Sequence, residues 1–90
     1  MRLIWDDSAA ADFLGIIDYI TLRNESAAAR LEEAVGRTLE FLTINPFMYR
    51  TGRVPGTREA VVHPNYILIY RVADDLITII AVLHARQNYP

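Results

Sequence analysis

Neither cysteine nor lysine occurs anywhere in this chain, and no apolar run is long enough to cross a bilayer. Without cysteine there are no disulfides and no thiolate metal ligands, which is compatible with a reducing cytoplasm. Without lysine, all nine cations are arginines. Arginine keeps its proton at any ordinary pH, so it clamps anions well and serves poorly as a base. The missing lysine also excludes the phosphate-cradling G-x-x-x-x-G-K-[ST] loop, and no G-x-S-x-G nucleophile elbow is present. Only His63 and His84 are available as imidazole ligands, so no metal site is expected. The longest near-apolar run, LITIIAVL at 76–83, has eight residues with a threonine inside, whereas a membrane-spanning helix needs about 20. The opening MRLIWDDSAAADF lacks the apolar stretch and cleavage site of a secretory signal. The expectation is a soluble, cytoplasmic protein with no membrane partner.

What is present reads as globular. Ninety residues, 52% hydrophobic and 22% charged, suffice for one domain spanning 1–90 and one core. The charge is uneven. Residues 1–44 hold four arginines against eight acids (−4), and residues 45–90 hold five against three (+2). A net charge of −2 argues against general nucleic-acid binding, while the C-terminal half is suited to an acidic partner.

RLIW (2–5) is a short apolar run that predicts a first strand, followed by DDS, where Ser8 is the expected helix cap and Asp7 its rival. Ala10, Phe13, Ile17 and Ile20, widened by Ile16, recur at helical spacing, with Asp12 and Asp18 facing away. Gly15 weakens that helix by roughly 1 kcal/mol relative to alanine. After a break at RNES (23–26), Ala28, Leu31, Val35, Leu39 and Leu42 form a second stripe, ending at Asn45-Pro46 because a residue before proline avoids the helical region. Residues 45–57, with two prolines and two glycines, read as a loop. Three strands follow at about 58–63, 66–73 and 76–84, joined by the turns Pro64-Asn65 and Asp74-Asp75. The fold class is therefore α+β: an N-terminal strand, a two-helix antiparallel hairpin packed on one face of the sheet, and a three-stranded antiparallel meander.

With two-residue turns and no irregularity, His63 meets Tyr66, Arg58 lies opposite Arg71, and Arg71 lies opposite Thr78. Alternation then puts Arg58, Arg71 and Thr78 in one row, on a face shared with Ala60, Val62, Ile67 and Ile69. Two facing arginines are unfavourable without an anion between them. One reading is a phosphate or carboxylate site; the other is that they splay apart or pair with Glu32 or Glu40. Both sheet faces are largely apolar, so helices are expected on one and a binding partner on the other.

Metal-free RNA cleavage needs a base for the 2′-hydroxyl, an acid for the leaving oxygen and cations on the phosphate. The available groups are Glu59, His63, His84, Tyr89 and the arginines. In this register His84 stands roughly 20 Å from the Arg58–Arg71 row, which builds no compact constellation and leaves His84 a strand-end residue or an interface contact. The tail HARQNYP is either a loose end or carries Arg86 and Tyr89 as an exposed anchor pair, residue types enriched at interface hot spots.

Several segments, taken in order, resemble the RelE/ParE superfamily of type II toxin–antitoxin toxins. They are YI at 19–20, NP at 45–46, G-T-R-E at 56–59, Y-x-x-x-Y-R-V at 66–72 and V-L-H-A-R at 82–86. The resemblance covers nearly the whole chain and implies a helix hairpin on a small antiparallel sheet. RelE-like members cut mRNA on the ribosome; under that alternative Arg58, Arg86 and Tyr89 are the catalytic candidates. The inner cationic positions of that pattern are occupied here by Ala60 and Ile67. Loss of one charge-stabilising donor can cost about 10²–10³ in rate. V-L-H-A-R is similar to the ParE-like pattern, whose members poison DNA gyrase and are not nucleases. The resemblance thus implies a ParE-like, non-catalytic toxin without cofactor or metal, contacting gyrase through His84, Arg86 and Tyr89, with Arg58 and Arg71 as anion or partner contacts. It also implies a cognate antitoxin, ParD-like or similar, in a toxin–antitoxin hetero-oligomer, with no direct nucleic-acid binding; beside the mRNA endonuclease, the other alternative is a protein-binding module without toxicity.

Overall fold

The computed structural model describes residues 1–90. Strand β1 (Arg2–Trp5) leads into helices α1 (Asp7–Thr21) and α2 (Glu25–Ile44). Strands β2 (Arg50–Thr51), β3 (Arg58–His63), β4 (Tyr66–Ala73) and β5 (Leu76–His84) follow. The bounds expected for the last three strands hold at both ends. The sheet order is β1-β5-β4-β3-β2. β1 is not part of the antiparallel run: it pairs parallel with β5, Arg2 opposite Leu76 and Trp5 opposite Ile79. The helix hairpin carries the chain over one sheet face before the antiparallel strands begin, and β1 lies at the sheet edge beside β5.

The start of α1 differs from expectation. Neither Ser8 nor Asp7 is the cap; Asp6 is, in extended conformation and without a side-chain capping bond. Its N–H donates to the Ile79 carbonyl at 2.9 Å, which holds Asp6 in the β region as the last extended residue, so the helix begins at Asp7, earlier than either expected cap would start it. Asp7 then lies in the first turn, where its charge suits the helix dipole. Asn24 caps α2 by accepting the Ala27 N–H at 3.1 Å, and α2 stops before Asn45-Pro46 as the sequence predicts. On α2 the buried stripe is Ala28, Leu31, Val35, Thr38 and Leu42. Thr38 enters the core because its hydroxyl donates to the Ala34 carbonyl at 3.0 Å, so no polar atom is left unpaired; Leu39 is only half-buried.

The main core lies between the helices and the sheet, around Leu31, Val35, Leu42, Leu68, Tyr70, Ile77 and Ile79, with Trp5 and Phe13 stacked at 5.5 Å on its flank. Burying each large side chain is worth about 1.5–3 kcal/mol. Two irregularities reset the register. One falls between Val61 and His63, the other where Ile69 faces Ala81 and Tyr70 faces Ile79, leaving Ile80 as the extra residue. His63 does meet Tyr66, and Arg71 does face Thr78, but Arg58 faces Tyr70 and not Arg71. A β-bulge inserts one residue into one strand, and a one-residue slip moves every later side chain to the other face. Arg58, Ala60 and Val62 therefore share the helical face with Leu68 and Tyr70, while Arg71 lies on the opposite face with Ile67 and Ile69.

That second face is not left bare either. Ile67, Ile69 and Leu83 form a small buried cluster against which Ile80, Ala81 and Tyr89 pack. The C-terminal tail folds back over the surface expected for a partner. No helix is long and apolar enough to cross a membrane.

Candidate functional site

The residues singled out by sequence occupy three separate places. His84 ends β5 opposite Tyr66, and its ring meets Tyr66 edge-on at 5.5 Å between centroids. The tail leaves β5 through a local hydrogen-bond web. His84 Nδ1 accepts the Arg86 N–H at 3.2 Å, the His84 N–H donates to Gln87 Oε1 at 3.3 Å, and Gln87 N–H donates to the His84 carbonyl at 2.9 Å. With Nδ1 accepting, neutral His84 carries its proton on Nε2. Arg86 is exposed at the tip of this turn. Tyr89 has passed to the second face, half-buried on the Ile67–Ile69–Leu83 cluster and 5.8 Å from the Arg53 guanidinium. His84, Arg86 and Tyr89 thus straddle the end of the sheet.

His63 flanks Tyr66 from the β3 side at 5.8 Å. The two histidines stand on strands two spacings apart, about 10 Å, with the Tyr66 ring between them. Beside this end of the sheet, a cleft of about 400 Å³ opens between α1 and β5, lined by Asp12, Gly15, Tyr19, Tyr66, Val82 and Gln87 among others.

Arg58 stands four β4 positions from the His84 row, about 13 Å along the strand, shorter than expected because of the bulges. Its Nη1 donates to the carbonyls of Phe47 and Tyr49 at 3.3 and 2.8 Å, and its guanidinium lies 5.0 Å over the Phe47 ring. It pairs with neither Glu32 nor Glu40. Arg71 is exposed on the opposite face, so no anion is held between the two.

Sequence reasoning passed over the strongest electrostatic feature. Glu59, beside Arg58 but on the other face, is 3% exposed. Its Oε2 accepts from Arg53 N and Nε at 2.9 and 3.1 Å, and its Oε1 from Arg50 Nη2 and Arg53 Nη2 at 3.1 and 3.4 Å. Burial alone would raise this carboxyl's pKa; the Arg53 side chain and backbone, helped by Arg50, outweigh it and hold the value below the usual carboxylate range. The signal in the sequence was an acid inside an apolar strand, preceded by Arg50 and Arg53 in the loop. The same loop is fixed on the helical side by Tyr70, whose buried hydroxyl donates to the Pro46 carbonyl at 2.6 Å. Burial pushes the Tyr70 phenol up to about 12, with Arg58 opposing.

The family model for the ParE toxin of the type II toxin–antitoxin system parDE matches residues 3–89. The chain belongs to the ParE toxin family. It is a toxin of the ParE/RelE superfamily, as the ordered motifs implied. This ParE-family chain is 34% identical over 90 residues to Y4kP of Sinorhizobium fredii, named as a candidate toxin, covering 99% of this chain and 93% of that one. It is 33% identical over 86 residues to toxin RelE2 of Caulobacter vibrioides, covering 96% and 97%. Among solved structures, the chromosomal ParDE toxin–antitoxin system of P. aeruginosa superposes with a TM-score of 0.78 at 24% identity, over 93% of this chain and 95% of that one. That likeness confirms the fold: strand, helix hairpin, and a mostly antiparallel sheet.

Proposed function

We propose that this ParE-family toxin arrests growth by inhibiting DNA gyrase without catalysing a reaction itself, and that a co-encoded ParD-like antitoxin neutralises it. The observation that carries this reading is the dispersal of the groups an RNase would need. Arg58 and Tyr89 lie on opposite faces of the sheet. Glu59 is engaged by two arginines and its lowered pKa makes it a weak base. Without convergent base, acid and cations, phosphodiester cleavage has no assembled site. The exposed groups at the sheet end, His84 and Arg86, are suited to recognition of a protein surface.

The test is purified protein added to gyrase on relaxed and on supercoiled plasmid. Accumulated cleaved DNA or lost supercoiling, reversed by the antitoxin, is the expected result. The alternative is a ribosome-dependent mRNA endonuclease, which the similarity to RelE2 favours. Under it, gyrase is unaffected and ribosome-bound transcripts are cut.

A further inference from the structure

On the helical side of the sheet, away from the tail, lies a concavity of about 410 Å³ walled by Phe47, Thr51, Gly52, Gly56, Thr57 and Arg58 among others. Its rim is preformed. Gly52 N–H donates to the Thr57 carbonyl at 2.7 Å, and Thr57 donates to the Val54 carbonyl from both N (3.1 Å) and Oγ1 (2.6 Å). A Cβ on Gly52 would collide with the Thr57 side chain, and Gly56 has φ of +83°, a conformation that favours glycine.

Arg58 is the one cation on this wall. Nη1 is fixed by the Phe47 and Tyr49 carbonyls, and the guanidinium plane rests near the Phe47 ring. Arg58 donates within the chain only through Nη1. Its Nε and Nη2 are left as a parallel pair of N–H donors, the fork that takes a carboxylate with two hydrogen bonds. The chain leading to this wall, from the last turns of α2 onward, presents Phe41, Ile44, Phe47 and Met48, each more than half exposed. A preoriented arginine fork beside the exposed Phe47 ring, on the same wall as Val72, is complementary to a carboxylate with an apolar neighbour.

We propose that this concavity docks an acidic–apolar segment of a protein partner, with a partner carboxylate on the Nε–Nη2 edge of Arg58 and an apolar side chain against Phe47. A nucleic-acid strand is the poorer fit, because each phosphate neutralised takes its own cation and Arg50 and Arg53 are committed to Glu59 on the other face. The inference concerns the chemistry that Arg58 binds and does not require gyrase to be the target.

The experiment follows the Arg58 Nε–H and the Gly52 and Thr57 amides by ¹⁵N NMR while the full chain is titrated with 3-phenylpropionate, its uncharged amide, and uridine 3′-monophosphate. Saturable shifts of all three signals with the carboxylate are expected, with the amide binding at least about tenfold more weakly. Phe47→Ala, an exposed position, should keep the fold and weaken the carboxylate several-fold; Arg58→Gln should abolish its binding. No saturable shift up to the solubility of the carboxylate, equal binding of the amide, or tighter binding of the nucleotide would each overturn the proposal. Carboxylate binding at Arg58 together with an unaffected gyrase would sink only the gyrase reading.

Discussion

The Glu59 carboxylate and the Arg53 guanidinium meet at 3.1 Å, and that same guanidinium lies 5.8 Å from the centre of the Tyr89 ring. One buried acid in β3 is thereby linked to the loop before it and to the end of the chain. The two arginines are not equivalent, since Arg53 supplies three of the four hydrogen bonds to Glu59. Arg53→Ala, which removes the two side-chain bonds and keeps the backbone one, should cost about 2 kcal/mol, because a buried carboxylate loses donors. Arg50→Ala, at a partner 58% exposed, should cost at most about 1 kcal/mol. Urea unfolding of both variants checks the difference, and equal losses would contradict it.

The same carboxylate sets the acid limit. Its folded pKa lies below the ordinary value of 4.5, so the unfolded chain binds its proton first as pH falls. The stabilisation is complete above the unfolded value and is lost as pH drops through the folded one. Glu59→Gln should be less stable near neutrality and show a flatter decline below the ordinary carboxylate range, in thermal melts taken across that range.

Tyr70 sets the alkaline limit with the opposite proton balance. Its folded pKa is raised to about 12 from 10.0, so the folded state retains a proton that the unfolded state releases. Stability should fall by up to about 3 kcal/mol across that interval. Tyr70→Phe should remove this dependence. It should also cost about 1 kcal/mol at neutral pH through the lost bond to the Pro46 carbonyl.

Two glycines should respond in opposite directions to alanine. Gly15 in α1 has nothing within 4 Å of an added Cβ, so Gly15→Ala should stabilise by roughly 0.5–1 kcal/mol. At Gly52 the added atom meets Thr57, backbone atoms included, and Gly52→Ala should destabilise by about 1–3 kcal/mol. Melting temperatures of the pair decide this.

The tail separates stability from target recognition. Tyr89→Ala uncovers Ile67, Ile69 and Leu83 and should cost about 1–2 kcal/mol. Arg86→Ala, at an exposed turn, should leave stability unchanged and lower growth arrest on induction. Truncation after Leu83 should abolish toxicity while antitoxin binding persists in a pull-down. A truncated chain that still arrests growth would remove the tail from the recognition surface.

Local pattern was enough to place every element but β2, the two-residue strand Arg50–Thr51 inside the stretch 45–57 read as a loop, which exists only through its pairing with β3. Alternation and turn residues set β3, β4 and β5, the apolar stripes set both helices, and Asn45-Pro46 set the end of α2; each depends on neighbours a few positions away. The ordered motifs carried the family for the same reason, since they mark those elements. Register was decided elsewhere. A bulge arises where strand twist and core packing make an extra residue cheaper than strict pairing, so nothing near Arg58 announced that it would face Tyr70 and the helices and not Arg71. Nor did local pattern reveal that Glu59 would be enclosed by Arg50 and Arg53, or that Tyr89 would return to cover Ile67, Ile69 and Leu83. Those contacts join residues six to twenty-two positions apart, and they exist only once the sheet has brought its strands and the loop together.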